Sequence, residues 1–256
     1  MNIHFPHFSY VVLGLLCLGL AACSTTQNVP VSQDQFASSS VDPSEIVQDI
    51  PDYRNSLSSL EGKGRAIVSE PGNTERVTLL FSSNRQKSMV TVRNGIGIEG
   101  GQLLTDGDTL LVYNKVDKFA RKIPIRGGKL NRINRLASLN ILEMISYSLD
   151  SNQVTNVLES KKRYLLKLSE GTRIQVDKES GLIRQVTQPA SSQLPYSKIT
   201  YDAYTSVEGF TLPRRISIFG AQGKSKVALQ LTALELNPKL DTLAINLPDD
   251  IPIYYQ

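Results

Sequence analysis

From Gly62 onward the chain alternates short runs of β-branched and aromatic residues with very short turns, and this spacing leaves few folds open. Val77 to Ser82, Lys87 to Arg93, Thr109 to Lys115, Lys198 to Tyr204 and Lys226 to Leu236 are such runs. Pro71-Gly72-Asn73, Ser83-Asn84, Asp106-Gly107-Asp108, Lys178-Glu179-Ser180-Gly181 and Gly220-Ala221-Gln222-Gly223 punctuate them. Asp-Gly between two β-rich runs is a strong hairpin signal. Links this short join only antiparallel neighbours, because a parallel pair needs a crossover of about a dozen residues or more. No βαβ alternation is present. The pattern predicts about ten or eleven antiparallel strands in a meander.

Two stretches read as helix. Asp42-Pro43 offers an N-cap followed by proline at the first helical position. Ile46, Val47, Ile50, Tyr53, Leu57 and Leu60 then recur at helical spacing, with Pro51 set to break the stripe in two. A second helix is predicted over about Leu130 to Leu149. Its stripe is Ile133, Leu136, Leu139, Leu142 and Ile145, widened by Ala137, Ile141 and Met144. So broad an apolar face must lie against another apolar surface. The expected class is α+β: a curved antiparallel incomplete barrel with two or three helices in or over its concave face.

Residue content excludes much chemistry. The two histidines, His4 and His7, and the two cysteines, Cys17 and Cys23, all fall in the first 23 residues, and there is no tryptophan. The rest of the chain therefore cannot build a Ser-His-Asp triad, a Cys-His pair, a His/Cys zinc site or an internal disulfide. The carboxylate pairs Asp106/Asp108, Asp177/Glu179 and Asp249/Asp250 fit turns better than a calcium loop, which needs more oxygen ligands at alternating positions. The glycines from Gly95 to Gly101 open no helix and form no phosphate loop. Ser225-Lys226 sits in a hairpin without a catalytic spacing. Lys161-Lys162-Arg163 reads as a solvated strand start, with lipid headgroups as its other reading. The expectation is no catalytic residue, no metal, no cofactor and no nucleic-acid partner. A net charge of +4 suits a surface near anionic phospholipid and equally suits an ordinary solvated domain.

Val11 to Leu20 is an apolar run of the length of a secretory h-region, too short for a spanning helix of about 20 residues. It ends in Leu20-Ala21-Ala22-Cys23, followed by the polar Ser24-Thr25-Thr26. This resembles the lipobox of bacterial lipoproteins, although the residues before the run hold no Lys or Arg. The resemblance implies a leader over 1–22, a diacylglycerol thioether on Cys23 and a further acyl chain such as palmitate on the new amino group. Two or more chains hold a protein stably on a membrane. Ser24, where a retention signal would place Asp, implies the periplasmic face of the outer membrane. Residues 23–42, rich in Ser, Thr and Gln up to Ser40, read as lipidated terminus and tether, and 43–256 as the folded domain. Removing the first 22 of 256 residues leaves 234, enough for one substantial core.

Gly97-Ile98-Glu99 through Leu110-Leu111-Val112-Tyr113-Asn114-Lys115-Val116-Asp117-Lys118 pairs a glycine-rich strand, an Asp-Gly-Asp turn and an aromatic-bearing strand running into a Lys-rich turn. On these residues the chain resembles the LolA/LolB superfamily of periplasmic lipoprotein carriers, over about Pro43 to Leu247. It is similar also to a lipoprotein family of Bacteroidetes-like bacteria with that fold. The resemblance implies a half-barrel whose apolar concave face receives acyl chains of lipoproteins or lipids. It further implies a monomer served by a soluble periplasmic carrier, as a LolB-like receptor is. Ile133, Leu136, Leu139, Leu142 and Ile145 would then line the cavity from a lid helix, or else belong to a permanent core helix. Ile96 and Ile98 are the candidates for a membrane-contact loop; the other reading packs them within the sheet. Two functions stay open: an acyl-binding sorting receptor, or a scaffold lipoprotein that grips another envelope protein.

Overall fold

The structure is a computed structural model; it describes residues 35–255, apart from 129, 131 and 222. Residues 1–34, with Cys23 and the leader, lie outside the described residues. The unit from Gln35 onward has its own apolar core, drawn from Ile46 to Leu236.

One antiparallel sheet of fifteen strands dominates it. In chain order its elements are β1 (Ala37–Ser38), α1 (Pro43–Asp49), β2 (Ser59–Glu70), β3 (Asn73–Asn84), β4 (Ser88–Arg93), β5 (Glu99–Thr105), β6 (Thr109–Asn114) and β7 (Phe119–Pro124). Two short helices follow, α2 (Arg132–Ala137) and α3 (Ile141–Ile145), and a single 3-10 turn at Ser151–Gln153. The second half holds β8 (Val154–Glu159), β9 (Arg163–Leu168), β10 (Arg173–Asp177), β11 (Ile183–Thr187), β12 (Tyr196–Val207), β13 (Phe210–Gly220), β14 (Lys226–Leu236) and β15 (Ile253–Tyr255). The sheet order is β1-β8-β9-β10-β11-β12-β13-β14-β2-β3-β4-β5-β6-β7-β15. It consists of two meanders, β2–β7 and β8–β14, sewn together by β14 against β2. Among the described residues only the β15–β7 pair is parallel. The sheet curls without closing, so β1 and β15 remain edges.

Alternation along each strand sorts the faces. Ala66 and Val68 on β2, Val77, Leu79 and Phe81 on β3, Val90 on β4 and Ile216 and Ile218 on β13 all point into one cluster. Leu136, Ile141, Leu142, Met144 and Ile145 from the helices join that same cluster. Helix α2 touches β2, β4, β5, β6 and β14 at once, which requires a place inside the curl.

The seam carries one of the sheet's register irregularities. Opposite Lys63 and Gly64, β14 carries an extra residue, Thr232, between Leu231 and Ala233. Such a bulge bends its strand and raises its twist. Gly62 and Gly64 flank it on β2. A Cβ on Gly62 would lie 2.6 Å from the Ala233 carbonyl oxygen and from the Phe81 ring, and one on Gly64 2.9 Å from the Gln230 carbonyl oxygen.

Four sequence expectations change in detail. The apolar stripe from Ile46 to Leu60 is helical only to Asp49; Leu57 lies in a turn-flanked loop and Leu60 on β2. The helix expected over Leu130 to Leu149 is two helices separated by Ser138, Leu139 and Asn140. Asn140 has extended backbone (φ −68, ψ 114), and its side chain caps α3 instead of continuing α2. Within the stretch read as tether, Ala37 and Ser38 pair with Glu159 and Leu158 of β8. The fifteen strands exceed the ten or eleven expected because of short or charged segments such as β1, β7, β8 and β15.

Gly62→Ala is expected to lower the stability of the unit by about 2 kcal/mol, since the added methyl must displace backbone at the seam. Urea unfolding measures this; an unchanged midpoint would mean that the seam is looser than its geometry.

Candidate ligand cavity and its lid

The concave face is apolar, and α2 and α3 lie upon it. Of the five stripe residues, Leu136, Leu142 and Ile145 are fully enclosed, while Ile133 and Leu139 are half-buried against the same cluster. The structure thus brings all five to the concave face, in two short pieces.

Polar groups fasten these pieces to the sheet. Ser83 at the end of β3 and Ser88 at the start of β4 point inward and are completely buried. Their hydroxyls bond each other. The Ile141 backbone N–H donates to Ser88 Oγ at 2.8 Å and the Leu142 N–H to Ser83 Oγ at 3.2 Å. Asn140 Oδ1 accepts from the Glu143 N–H at 3.1 Å, and Asn140 Nδ2 donates to the Asn84 carbonyl at 2.8 Å. The first N–H groups of α3, which no helix satisfies internally, are therefore met by its own cap and by two serines of the β3–β4 hairpin. On α2, Arg135 Nη1 bonds Ser225 Oγ in the β13–β14 turn, and Nη2 donates to the Leu130 carbonyl at 3.1 Å.

The half-open pocket beside α3 is small, about 20 Å³. That holds one water and is far below what an acyl chain needs. Tyr53, Ile145, Tyr147, Ile183, Tyr201 and Tyr204 are among its walls. Two hydroxyls there have settled roles: Tyr53 Oη accepts from the Thr211 N–H at 2.8 Å, and Tyr204 Oη donates to the Ile183 carbonyl at 2.5 Å. Tyr201 differs, since its hydroxyl is buried and has no protein partner. Burial pushes the Tyr201 phenol well above its ordinary value, with Tyr204 beside it adding to the effect. Burial likewise pushes Tyr147 up to about 12. These phenols stay neutral throughout the physiological range. The site offers a mixed wall of aliphatic and tyrosyl side chains with a neutral hydroxyl among them.

Ile96 and Ile98 are not packed in the sheet. They sit in the β4–β5 turn with 82% and 58% of their surface exposed. Asn94 Oδ1 accepts from the N–H groups of both, at 3.1 and 3.0 Å, and Gly97 takes a left-handed φ of +87°. The turn is thus a defined loop that presents two isoleucines outward. Val116, 72% exposed in the β6–β7 turn, lies at the same end of the sheet, and Lys115 Nζ reaches Glu99 Oε1 at 3.0 Å between the two turns.

The carboxylate pairs behave as turn residues. Asp106 Oδ1 accepts from the N–H groups of Asp108 and Thr109, and Asp177 Oδ1 from that of Ser180. Among the described residues no group of three or more His, Cys, Asp or Glu could hold a metal ion. Sequence reasoning missed Ser83, Ser88 and Arg135. The one readable signal was Asn140 three residues before Glu143, a capping pattern ahead of an apolar run.

A strongly curved, unclosed antiparallel sheet that encloses helices defines a LolA/LolB-like fold. Solved structures agree at the level of fold. A LolA superfamily protein from Nitrosomonas europaea superposes with a TM-score of 0.53 at 12% identity, covering 78% of this chain and 96% of that one. A candidate outer membrane lipoprotein-sorting protein domain from Vibrio parahaemolyticus gives 0.52 at 11% identity, over 78% and 92%. A DUF1329 family protein from Desulfovibrio piger gives 0.50 at 11%, over 78% and 92%. No protein-family model matches the sequence, and no curated protein matches it.

Asn140→Ala removes both the cap and the bond to Asn84. It is expected to cost about 1 kcal/mol and to speed amide exchange at Glu143 and Met144 ahead of the sheet. Exchange accelerated equally across β3 and β4 would instead make Asn140 part of the global core.

Proposed function

We propose that this chain is an acyl-binding envelope lipoprotein that takes part in lipoprotein or lipid sorting. In this reading Cys23 carries the lipid anchor, residues 1–22 are removed as a leader, and the domain works at the periplasmic face of the outer membrane, without enzymatic activity. It binds acyl chains on the concave face once α2 and α3 move aside. The observation that carries it is the way those helices are held. They are short, they cover the apolar face of an open sheet, and side-chain hydrogen bonds fasten their ends. Such bonds are exchanged for water at little net cost, unlike those of a strand woven into the sheet. The structural neighbours, a LolA superfamily protein and a lipoprotein-sorting domain, support the same reading. Ile96 and Ile98, joined by Val116, form the membrane-contact tip.

One observation favours the scaffold reading instead: the pocket beside α3 has room for only about 20 Å³. The two readings part on a single measurement. Titration of the Gln35–Gln256 unit with a fluorescent long-chain fatty acid is expected to saturate. Asn140→Ala is expected to bind about fivefold more tightly, because loosening the lid by about 1 kcal/mol raises the population of the open state. No saturable binding by either protein would support the scaffold. Ile96→Asp is expected to reduce association with neutral phosphatidylcholine vesicles while leaving the unfolding midpoint within about 0.5 kcal/mol, as befits an exposed site. Undiminished association would remove the tip from the membrane.

A further inference from the structure

The outer face of the sheet, turned away from the helices, carries a cross-strand row. Arg215 on β13 pairs with Gln230 on β14, Gln230 with Arg65 on β2, Arg65 with Thr78 on β3, and Thr78 with Arg93 on β4. An arginine thus stands on every second strand, about 10 Å from the next. Arg76 lies diagonally beside Arg65, opposite Ile67. Arg65, Arg76 and Arg215 line an open groove of about 780 Å³, floored in part by Ile67 and Ala228, and no carboxylate lines it. Along its flank Lys198 and Lys226 both stack on Phe219, at 4.2 and 5.3 Å from the ring centre.

These cations are poorly neutralised. Arg215 meets Asp202 at 3.4 Å in a solvent-exposed pair. Among the described residues, Arg65, Arg76 and Arg93 make no ion pair. Like charges gathered on neighbouring strands repel one another and cost stability. A groove that keeps such a cost is complementary to an anion, and the forked guanidinium matches phosphate oxygens two at a time.

The neighbourhood identifies the source of the phosphate. Gly95 lines the groove, and the next residue is Ile96, the exposed tip. An apolar tip beside an arginine groove is the arrangement that meets a bilayer, with the side chains among acyl tails and the cations among headgroups. We propose that this outer groove binds the phosphate headgroups of anionic phospholipid. It thereby sets the orientation in which the domain sits on its membrane. The proposal rests on the membrane reading of the Ile96 loop and is independent of whether the concave face takes acyl chains.

The test uses the Gln35–Gln256 unit, which has its own core, with vesicles of phosphatidylcholine alone or mixed with phosphatidylglycerol. The unaltered unit is expected to favour the anionic vesicles. The double variant Arg65→Gln/Arg76→Gln is expected to lose about ten- to thirty-fold of its affinity for them, at about one charge's worth per arginine, and to keep its affinity for phosphatidylcholine. Circular dichroism and the unfolding midpoint report that the variant is folded. Equal binding of both vesicle types by the unaltered unit, or an unchanged preference in the double variant, overturns the proposal. So does loss of the preference on adding millimolar inorganic phosphate at matched ionic strength, which would make this a free-phosphate site. Fatty-acid titration of the same double variant is expected to match the unaltered unit. Absence of saturable fatty-acid binding by the unaltered unit, with its preference for anionic vesicles intact, counts against the cavity reading alone.

Discussion

Everything in this unit hangs on the seam between β14 and β2. Two meanders, each built from local hairpins, would be separate sheets without it. Their ten register pairs run from Lys226–Ser69 to Leu236–Leu60 and are the long-range pairing that makes one surface. The seam also carries a bulge, which adds to the bend of the surface. Bulged Thr232 and the small Gly62 and Gly64 let the strands approach where side chains would hold them apart. A flat sheet would leave Leu136, Leu142 and Ile145 with one wall; the bend gives them several. The apolar helices and the glycines on β2 are therefore one design, although they lie some seventy residues apart in the chain.

The same topology explains why the helices sit where they do. After β7 the chain is near one end of the sheet order, and β8 lies near the other. The connection must cross the width of the sheet, and the concave side is the short way. A segment crossing an apolar floor must be apolar on its lower face and must satisfy its own backbone, and short helices do both. The first N–H groups of α3 remain to be satisfied, which is the task of Ser83, Ser88 and the Asn140 cap, while Asn84 and Ser225 hold the side chains of Asn140 and Arg135. Core, crossing and latch follow from a single topological necessity.

Much of this was legible in the residues. Alternating strands with Asp-Gly and Gly-rich turns announce a meander, and a broad apolar stripe announces a helix in need of a floor. Failures came where tertiary context overrides local pattern. Leu57 and Leu60 keep helical spacing with Ile46 yet serve a loop and a strand, because the core needs them from another direction. Phe119–Pro124 carries Arg121, Lys122 and a proline, and reads as a strand only once β6 and β15 lie on either side. The buried serines were invisible because serine in such a sequence reads as a turn. Their role appears only when β3, β4 and α3 meet. The arginine row of the outer face was unreadable for a related reason, since its members are scattered from Arg65 to Arg215 and only the register aligns them.

Under the proposed function the small size of the pocket beside α3 is a feature of the energetics. Opening the lid exposes Leu136, Ile141, Leu142, Met144 and Ile145, all buried when closed, at about 2 kcal/mol each and so about 10 kcal/mol together. A sixteen-carbon chain that takes their place returns about 0.8 kcal/mol per methylene, or about 12 kcal/mol in all. The exchange is nearly balanced. An empty, preformed cavity would keep the whole of the second term and would hold its ligand too tightly to hand on. A lid that competes for the same floor leaves a small net affinity, and the latch at Asn140 then moves that balance in either direction by an amount that matters. Such a balance suits a protein that receives and releases acyl chains better than one that stores them.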